Sequence, residues 1–257
     1  MRWVQGLLIA VLLTGCATQF VYNRLDWLLA TYLEYTLALD TQQTATLRQT
    51  LPVALTAHRR EQLPRYQTWL TQLRHDITPA ELTTSQIDQH YQAAQTHWQA
   101  AVALLAEPVA AALQTANDAQ IEQFLAWLRD SRLENTQAQE RPVRRVKRQL
   151  KPWLGSFTQE QQQLFAQHNQ HFNALHAFYV QSDAQWQAAL RQALQTRHQP
   201  DFKSRFAYLL ARPDSALTPE QQQALAASEA LVKSLLLELA QTLTAQQRAY
   251  LQEQLQQ

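Results

Sequence analysis

FTQEQQQLFAQHNQHFNALHAFY, residues 157–179, carries both of the signals from which the fold is read. Thr158 is followed three places later by Gln161, a pair that starts a helix: the threonine hydroxyl accepts from the backbone N–H at the third position, and the glutamine reaches back to the threonine's own N–H. Behind it, Leu164, His168, Phe172, Leu175 and Tyr179 recur every three or four residues and so share one helical face. The same start device recurs at Asp40-Thr-Gln-Gln43, Thr78-Pro-Ala-Glu81, Thr218-Pro-Glu-Gln221 and Thr244-Ala-Gln-Gln247. Comparable stripes run through Leu47, Leu51, Ala54 and Leu55, through Ile87, Tyr91, Ala94, Trp98, Val102 and Leu105, and through Ile121, Leu125 and Leu128. No segment alternates at period two, so the chain is expected to be all-α, an irregular bundle of about eight helices with no sheet. Prolines at 52, 64, 108, 142, 152, 200 and 213 are expected to stop or kink those helices, because the ring removes a donor and clashes with the preceding turn.

Composition agrees. Ala, Leu and Gln dominate, Val and Ile are sparse, and of the three glycines only Gly155 lies beyond residue 15, so turns that need positive φ have almost no glycine to use. The apolar content of 46% is enough for a core. Twenty-two basic residues stand against 21 acidic ones, a balance unlike that of a strongly basic nucleic-acid binder.

The only cysteine, Cys16, sits at the end of an apolar run, LLIAVLLTGCATQ (7–19). Arg2 precedes the run, which is too short to span a bilayer but has the charged and apolar parts of a secretory signal. Leu13-Thr14-Gly15-Cys16 resembles the lipobox of bacterial lipoproteins. That resemblance implies acylation of Cys16, cleavage before it, and loss of residues 1–15; Arg2 goes with them and the formal charge falls from +1 to zero. With its thiol acylated, the mature chain has no free thiol, disulfide or CxxC chemistry. By resemblance to the enterobacterial sorting rule, Ala17 after the cysteine is not the inner-membrane retention signal that an Asp there would be, so the outer membrane, facing the periplasm, is expected. The expected organisation is a signal peptide at 1–15, a lipidated tether at 16–19 and a single helical domain at 20–257. The first helix, expected from Phe20 to Leu39, is rich in aromatics (Phe20, Tyr22, Trp27, Tyr32, Tyr35); it is either central to the bundle or in touch with the headgroup layer.

HRREQLPRY (58–66) is the most informative polar stretch. Continuing the Leu51/Leu55 stripe lands on His58, Glu61, Gln62 and Arg65, so polar groups occupy a face that should be buried, and each must find a partner or a wet cleft. Two readings compete: an acid/base pair of His58 and Glu61 with Arg59 or Arg65 as an anion clamp, or a structural polar network at the Pro64 break. Arg132, Asn135 and Gln139 interrupt a second stripe in the same way. RPVRRVKRQLK (141–151) holds Arg141, Arg144, Arg145, Lys147, Arg148 and Lys151 with no acidic residue. It suits an anionic partner such as lipid headgroups, lipopolysaccharide phosphates or an acidic envelope protein, with Val143, Val146 and Leu150 turned inward. His168, His171 and His176 lack the spacing and the acidic neighbours of a metal site, and His90 and His97 share a helix flank; no metal or cofactor is expected. Neither GxSxG, HExxH, a phosphate-cradling loop nor a dinucleotide fingerprint is present, and nucleic acid is not an expected partner.

The lipobox followed by FVYNRLDWL (20–28), together with HRREQLPRY and KRQLKPWLGSFTQEQ (147–161), resembles an uncharacterised family of proteobacterial all-helical lipoproteins. The resemblance implies location and fold and brings no catalytic residues with it. LTPEQ (217–221), FTQEQ (157–161) and LTAQQ (243–247) are similar to the LTxxQ boxes of periplasmic chaperones of the Spy/CpxP type, a pattern that any capped helix start shares. The leading expectation is an envelope lipoprotein with a non-enzymatic binding or scaffold role. The alternatives are client binding of the chaperone type and a hydrolase or transferase working through His58 and Glu61.

Overall fold

A computed structural model of the chain describes residues 24–78, 82–137 and 141–256, with side chains throughout except at 132–137. The signal segment, Cys16 and the tether, residues 79–81, and the side chains of Arg132, Asn135 and Gln139 lie outside the described residues. Every regular element among the described residues is helical. In chain order these are α1 (Leu25–Thr36), α2 (Thr41–Glu61), α3 (Leu63–Asp76), α4 (Thr84–Gln114), α5 (Asp118–Gln137), α6 (Pro142–Leu154), α7 (Gln159–Gln167), α8 (Asn169–Gln195), α9 (Phe202–Ala211), a 3₁₀ turn (Pro213–Ala216), α10 (Pro219–Gln241) and α11 (Ala245–Gln254). No helix among the described residues is long and apolar enough to cross a membrane.

Among the described residues there are eleven α-helices where about eight were expected, and the physical reasons are local. Pro52, Pro108 and Pro152 sit inside helices rather than ending them. Pro64, Pro142 and Pro213 instead occupy the first turn, where a missing N–H costs nothing. The stretch 157–179 is two helices, broken at His168, where no proline or glycine marks the break. Asp40, Thr158, Thr218 and Thr244 all form complete capping boxes. Thr78 does not cap α4. Its hydroxyl donates to the Arg74 carbonyl at the end of α3, and α4 is capped by Thr83 with Gln86, five residues later than expected.

α2 and α3 run antiparallel to α4: Asp76 at the end of α3 meets His90 near the start of α4, and Gln43 at the start of α2 meets Gln120 just past the end of α4. The main core gathers Leu37, Ala106, Ala110, Leu113, Ile121, Leu125, Trp186, Leu190, Leu194, Phe202 and Phe206 from α1, α4, α5, α8 and α9. Alanines along α4 let the α9 phenylalanines approach closely, and burying each ring contributes about 1.5–3 kcal/mol relative to exposure. A second core joins Leu154, Leu164, Phe165, Phe172, Leu235 and Leu239 from α6, α7, α8 and α10. α8 links the two: Phe172 lies in one and Leu190 in the other, about 27 Å apart at the helical rise.

Two seams between helices are closed by the same device. In each, the glutamine at the third position of one capping box pairs with the glutamine of another, amide to amide. Gln120 donates to Gln43 (2.7 Å) and Gln43 back to Gln120 (3.3 Å), while Gln120 also donates to the Ala38 carbonyl (2.7 Å). Gln161 and Gln247 exchange bonds of 2.9 and 3.0 Å, and their remaining N–H groups go to the Thr242 and Ser156 carbonyls. Because each oxygen also accepts its own cap's N–H, Gln120, Gln161 and Gln247 use all four of their hydrogen-bonding positions. Ala38, whose carbonyl one clasp holds, turns the chain from α1 into α2 at φ +47°, in the left-handed region where a Cβ is unwelcome.

Candidate functional site: a histidine array and a basic helix face

The polar stretch 58–66 straddles the joint between α2 and α3. Pro64 cannot donate, and the helix is interrupted at Gln62; across the joint the expected polar face divides, with His58 and Gln62 buried while Glu61, at the edge of the α2 stripe, and Arg65 are exposed. His58 Nε2 is hydrogen bonded to the Tyr66 hydroxyl at 3.1 Å, whereas the Glu61 carboxylate accepts from Arg60 at 2.7 Å. Thus the two side chains of the expected acid/base pair face different surroundings. Burial, and then the charge of Arg59, hold the His58 pKa below its ordinary value and keep the ring neutral. Gln62 is 4% exposed, and its Oε1 accepts no hydrogen bond.

From His58 an unbroken file of rings and amides follows the seam between α3 and α4. The Tyr66 ring meets His97 edge-on at 5.0 Å, and Trp69 lies against the other side of His97 at 5.4 Å. The Trp69 indole N–H donates to His90 Nδ1 (3.2 Å), and His90 Nε2–H donates to Asp76 Oδ2 (3.1 Å). The other oxygen of Asp76 accepts from Gln72 (2.8 Å) and from His75 Nδ1 (3.1 Å). Burial alone would raise the Asp76 pKa, but the bonds from His75, Gln72 and His90 outweigh it and hold the carboxyl below the usual range. His97 is lowered by burial and by the charge of Arg65.

A buried Asp–His pair is half of a general-base triad, and here geometry disarms it. The imidazole nitrogen that would take a proton from substrate, or bind a metal, is Nδ1, and the Trp69 N–H occupies its lone pair. The tautomer is fixed from both sides, so the array positions α3 on α4 and offers no nucleophile or base at His90. The array is mostly absent from the sequence reading. Gln62, Tyr66, Trp69, Leu73 and Asp76 do recur at helical spacing opposite the His90/His97 flank, and that is the signal that could have found it.

α6 divides cleanly into two faces. Val143, Val146, Leu150 and Trp153 pack on the second core and Leu154 is buried in it. Arg141, Arg144, Arg148 and Lys151 are exposed, and Arg145 and Lys147 are half-buried, with the Lys147 ammonium 5.2 Å over the Phe165 ring. Gly155 stops the helix at φ +68°, its N–H bonding the Lys151 carbonyl at 2.9 Å.

Among the described residues no group of three or more His, Cys, Asp or Glu side chains comes together as a metal site would require. His168 is 3.5 Å from Glu238, and His171 has its pKa lowered by burial and by His168. A further polar knot braces α10 on α4. Lys233 bonds Asp88 at 2.8 Å and lies 4.9 Å over the Tyr91 ring, and burial followed by the hydrogen bond to Glu229 drives the Tyr91 phenol far above its ordinary pKa. The Thr/Gln pairs of LTPEQ, FTQEQ and LTAQQ are all capping boxes, and Gln161 and Gln247 are joined to each other as well.

No curated protein and no solved structure matches the chain. A family model does match, over residues 34–222, which takes in the end of α1, the histidine array, the basic helix and the first residues of α10. Over that span the chain belongs to a family of unknown function, DUF6279.

Proposed function

We propose that this protein is a proteobacterial envelope lipoprotein, held through an acylated Cys16 at the periplasmic face of the outer membrane, that binds rather than catalyses. Its contact for an anionic envelope partner is the outward side of α6. The observation that carries the reading is the division of that helix: five apolar side chains turned to the second core, and four exposed cations in a run of residues with no acidic member. Such a face raises a positive potential over solvent and attracts phosphate or carboxylate groups. The occupied Nδ1 of His90 and the separate surroundings of His58 and Glu61 weigh against a hydrolase or transferase at the α2–α3 joint.

The test places a photo-crosslinking residue at Lys151 of the full chain in growing cells, with and without Arg144, Arg145 and Arg148 changed together to Glu. A defined adduct at 151 is expected in the parent, falling at least tenfold in the triple variant and weakening with added salt in isolated envelopes. The mass of the adduct separates lipid from protein. If the triple change leaves the adducts and the envelope's behaviour unaltered, the basic face is not the contact.

A further inference from the structure

We propose that the outward face of α1 rests in the headgroup layer of the membrane that holds Cys16, a second, non-covalent attachment beside the acyl chains. The inference builds on the lipoprotein reading above and adds an element, a depth and an orientation.

Leu25, Leu29, Ala30, Leu33 and Leu37 turn α1 into the cores against α2 and α4. At about 100° per residue, Arg24, Trp27, Leu28, Thr31, Tyr32 and Tyr35 fall on a single opposite arc, and all six are exposed. Trp27 is 58% exposed, Tyr32 50% and Tyr35 80%. Trp127 of α5 stands edge-on to Tyr32 at 6.0 Å with Phe124 stacked behind it, so the aromatic surface continues beyond α1 itself. The acid closest to the arc, Glu34, is clasped by Arg48 of α2 through bonds of 2.5 and 2.9 Å. The face therefore presents amphipathic rings, one leucine, one hydroxyl and an arginine. Tryptophan and tyrosine with a flanking arginine settle at the level of lipid headgroups, whereas deep insertion would need a continuous apolar surface that this arc lacks.

Chain length supplies the occupant. Arg24 follows Cys16 by eight residues, so its Cα is at most about 29 Å from the cysteine's even when the tether is fully drawn out. α1 can never be far from the bilayer, and its effective concentration there is high. The opposite face is fixed in the core, so docking α1 would fix the orientation of the whole bundle. α6 is seated on the other core, about 27 Å along α8, and this leaves the basic face separate from the docked one.

The test reconstitutes the full acylated protein in vesicles of phosphatidylethanolamine and phosphatidylglycerol, and in matched vesicles whose acyl chains are brominated next to the headgroup. The Trp27 fluorescence is taken as the difference between the parent and Trp27→Phe, a change at an exposed position that should leave the helical circular dichroism unaltered. Brominated lipid is expected to quench at least half of that signal, and aqueous iodide to quench little of it. Trp27 open to iodide and untouched by bromine overturns the proposal while the protein still floats with the vesicles, leaving the lipoprotein reading standing. Shielding from both quenchers also overturns it, in favour of a protein on that face. Absence of the diacylglycerol mass on Cys16 overturns both readings together.

Discussion

Replacing Gln161 by Ala tests whether paired amides or ordinary caps hold the second seam closed. Gln161 has no exposed surface and makes four hydrogen bonds: it accepts from Thr158 N (3.1 Å) and from Gln247 (3.0 Å), and donates to Gln247 (2.9 Å) and to Thr242 O (3.1 Å). At about 1 kcal/mol net for each, and with the Gln247 amide left buried and half satisfied, the expected loss is about 3–5 kcal/mol. Gln221 is the internal control. It completes the Thr218 box in the same way, accepting from Thr218 N at 3.0 Å, but those bonds are exposed and no second glutamine reaches it. Gln221→Ala should therefore cost only about 0.5–1 kcal/mol. Urea unfolding of the purified protein, followed by far-ultraviolet circular dichroism, reads both. Adding Gln247→Ala completes a cycle, and the two direct amide bonds should give a coupling of about 1–3 kcal/mol. A coupling below about 0.5 kcal/mol, or equal losses at 161 and 221, would show that the clasp adds nothing to the caps.

Two backbone positions should respond in opposite directions. Gly155→Ala meets no atom within 4 Å yet places a Cβ at φ +68°, so a loss of about 1–2 kcal/mol is expected from backbone strain alone, whereas Ala38→Gly, at φ +47°, relieves that strain and should gain about 0.5–1 kcal/mol. Thermal melts compare both variants with the parent, and changes of the same sign would refute the assignment. Acid should weaken the fold in two windows. Because burial lowers the pKa of His58, the unfolded chain takes up more protons than the folded one below about pH 6.5, and stability falls there by up to about 1.4 kcal/mol per pH unit. The lowered pKa of Asp76 contributes stability that is present above the ordinary carboxylate range and lost as pH falls through the folded value. Urea midpoints at pH 7.5, 6.5 and 5.5 that lie on a flat line, or a slope that His58→Gln leaves unaltered, would contradict the first window.

Helix class and most helix starts were legible because they are local: a cap oxygen, a glutamine three residues on and a stripe behind them need no knowledge of the rest of the chain. Thr78 misled because it carries the same local pattern, and the choice between it and Thr83 was decided elsewhere, by Ile77, Leu82 and Ile87 packing together under α10 and α11. Asn117, which forms a box with Gln120, escaped a template built on Thr and Asp. The basic face of α6 was legible for the same reason as the stripes, since Val143, Val146 and Leu150 share its period. The histidine array was not, because its meaning lies in which nitrogen faces which donor across two helices. No spacing along one chain segment could say that Trp69 would occupy His90 Nδ1. Likewise the joint at Gln62 turned Arg65 outward, where an uninterrupted helix would have carried it inward, and Glu61 sits at the edge of the α2 stripe rather than on it.

The two glutamine pairs have one more consequence. A carboxamide takes up no proton, sheds none, and bears no net charge for dissolved ions to screen. Acid, alkali or brine reaching the chain leaves the amide-to-amide bonds themselves as they were; only the first pair stands beside a carboxylate cap, Asp40. A change of acidity can enter the bundle where imidazoles line the seam between α3 and α4, while dissolved ions act on ion pairs such as Lys233–Asp88 and Arg48–Glu34.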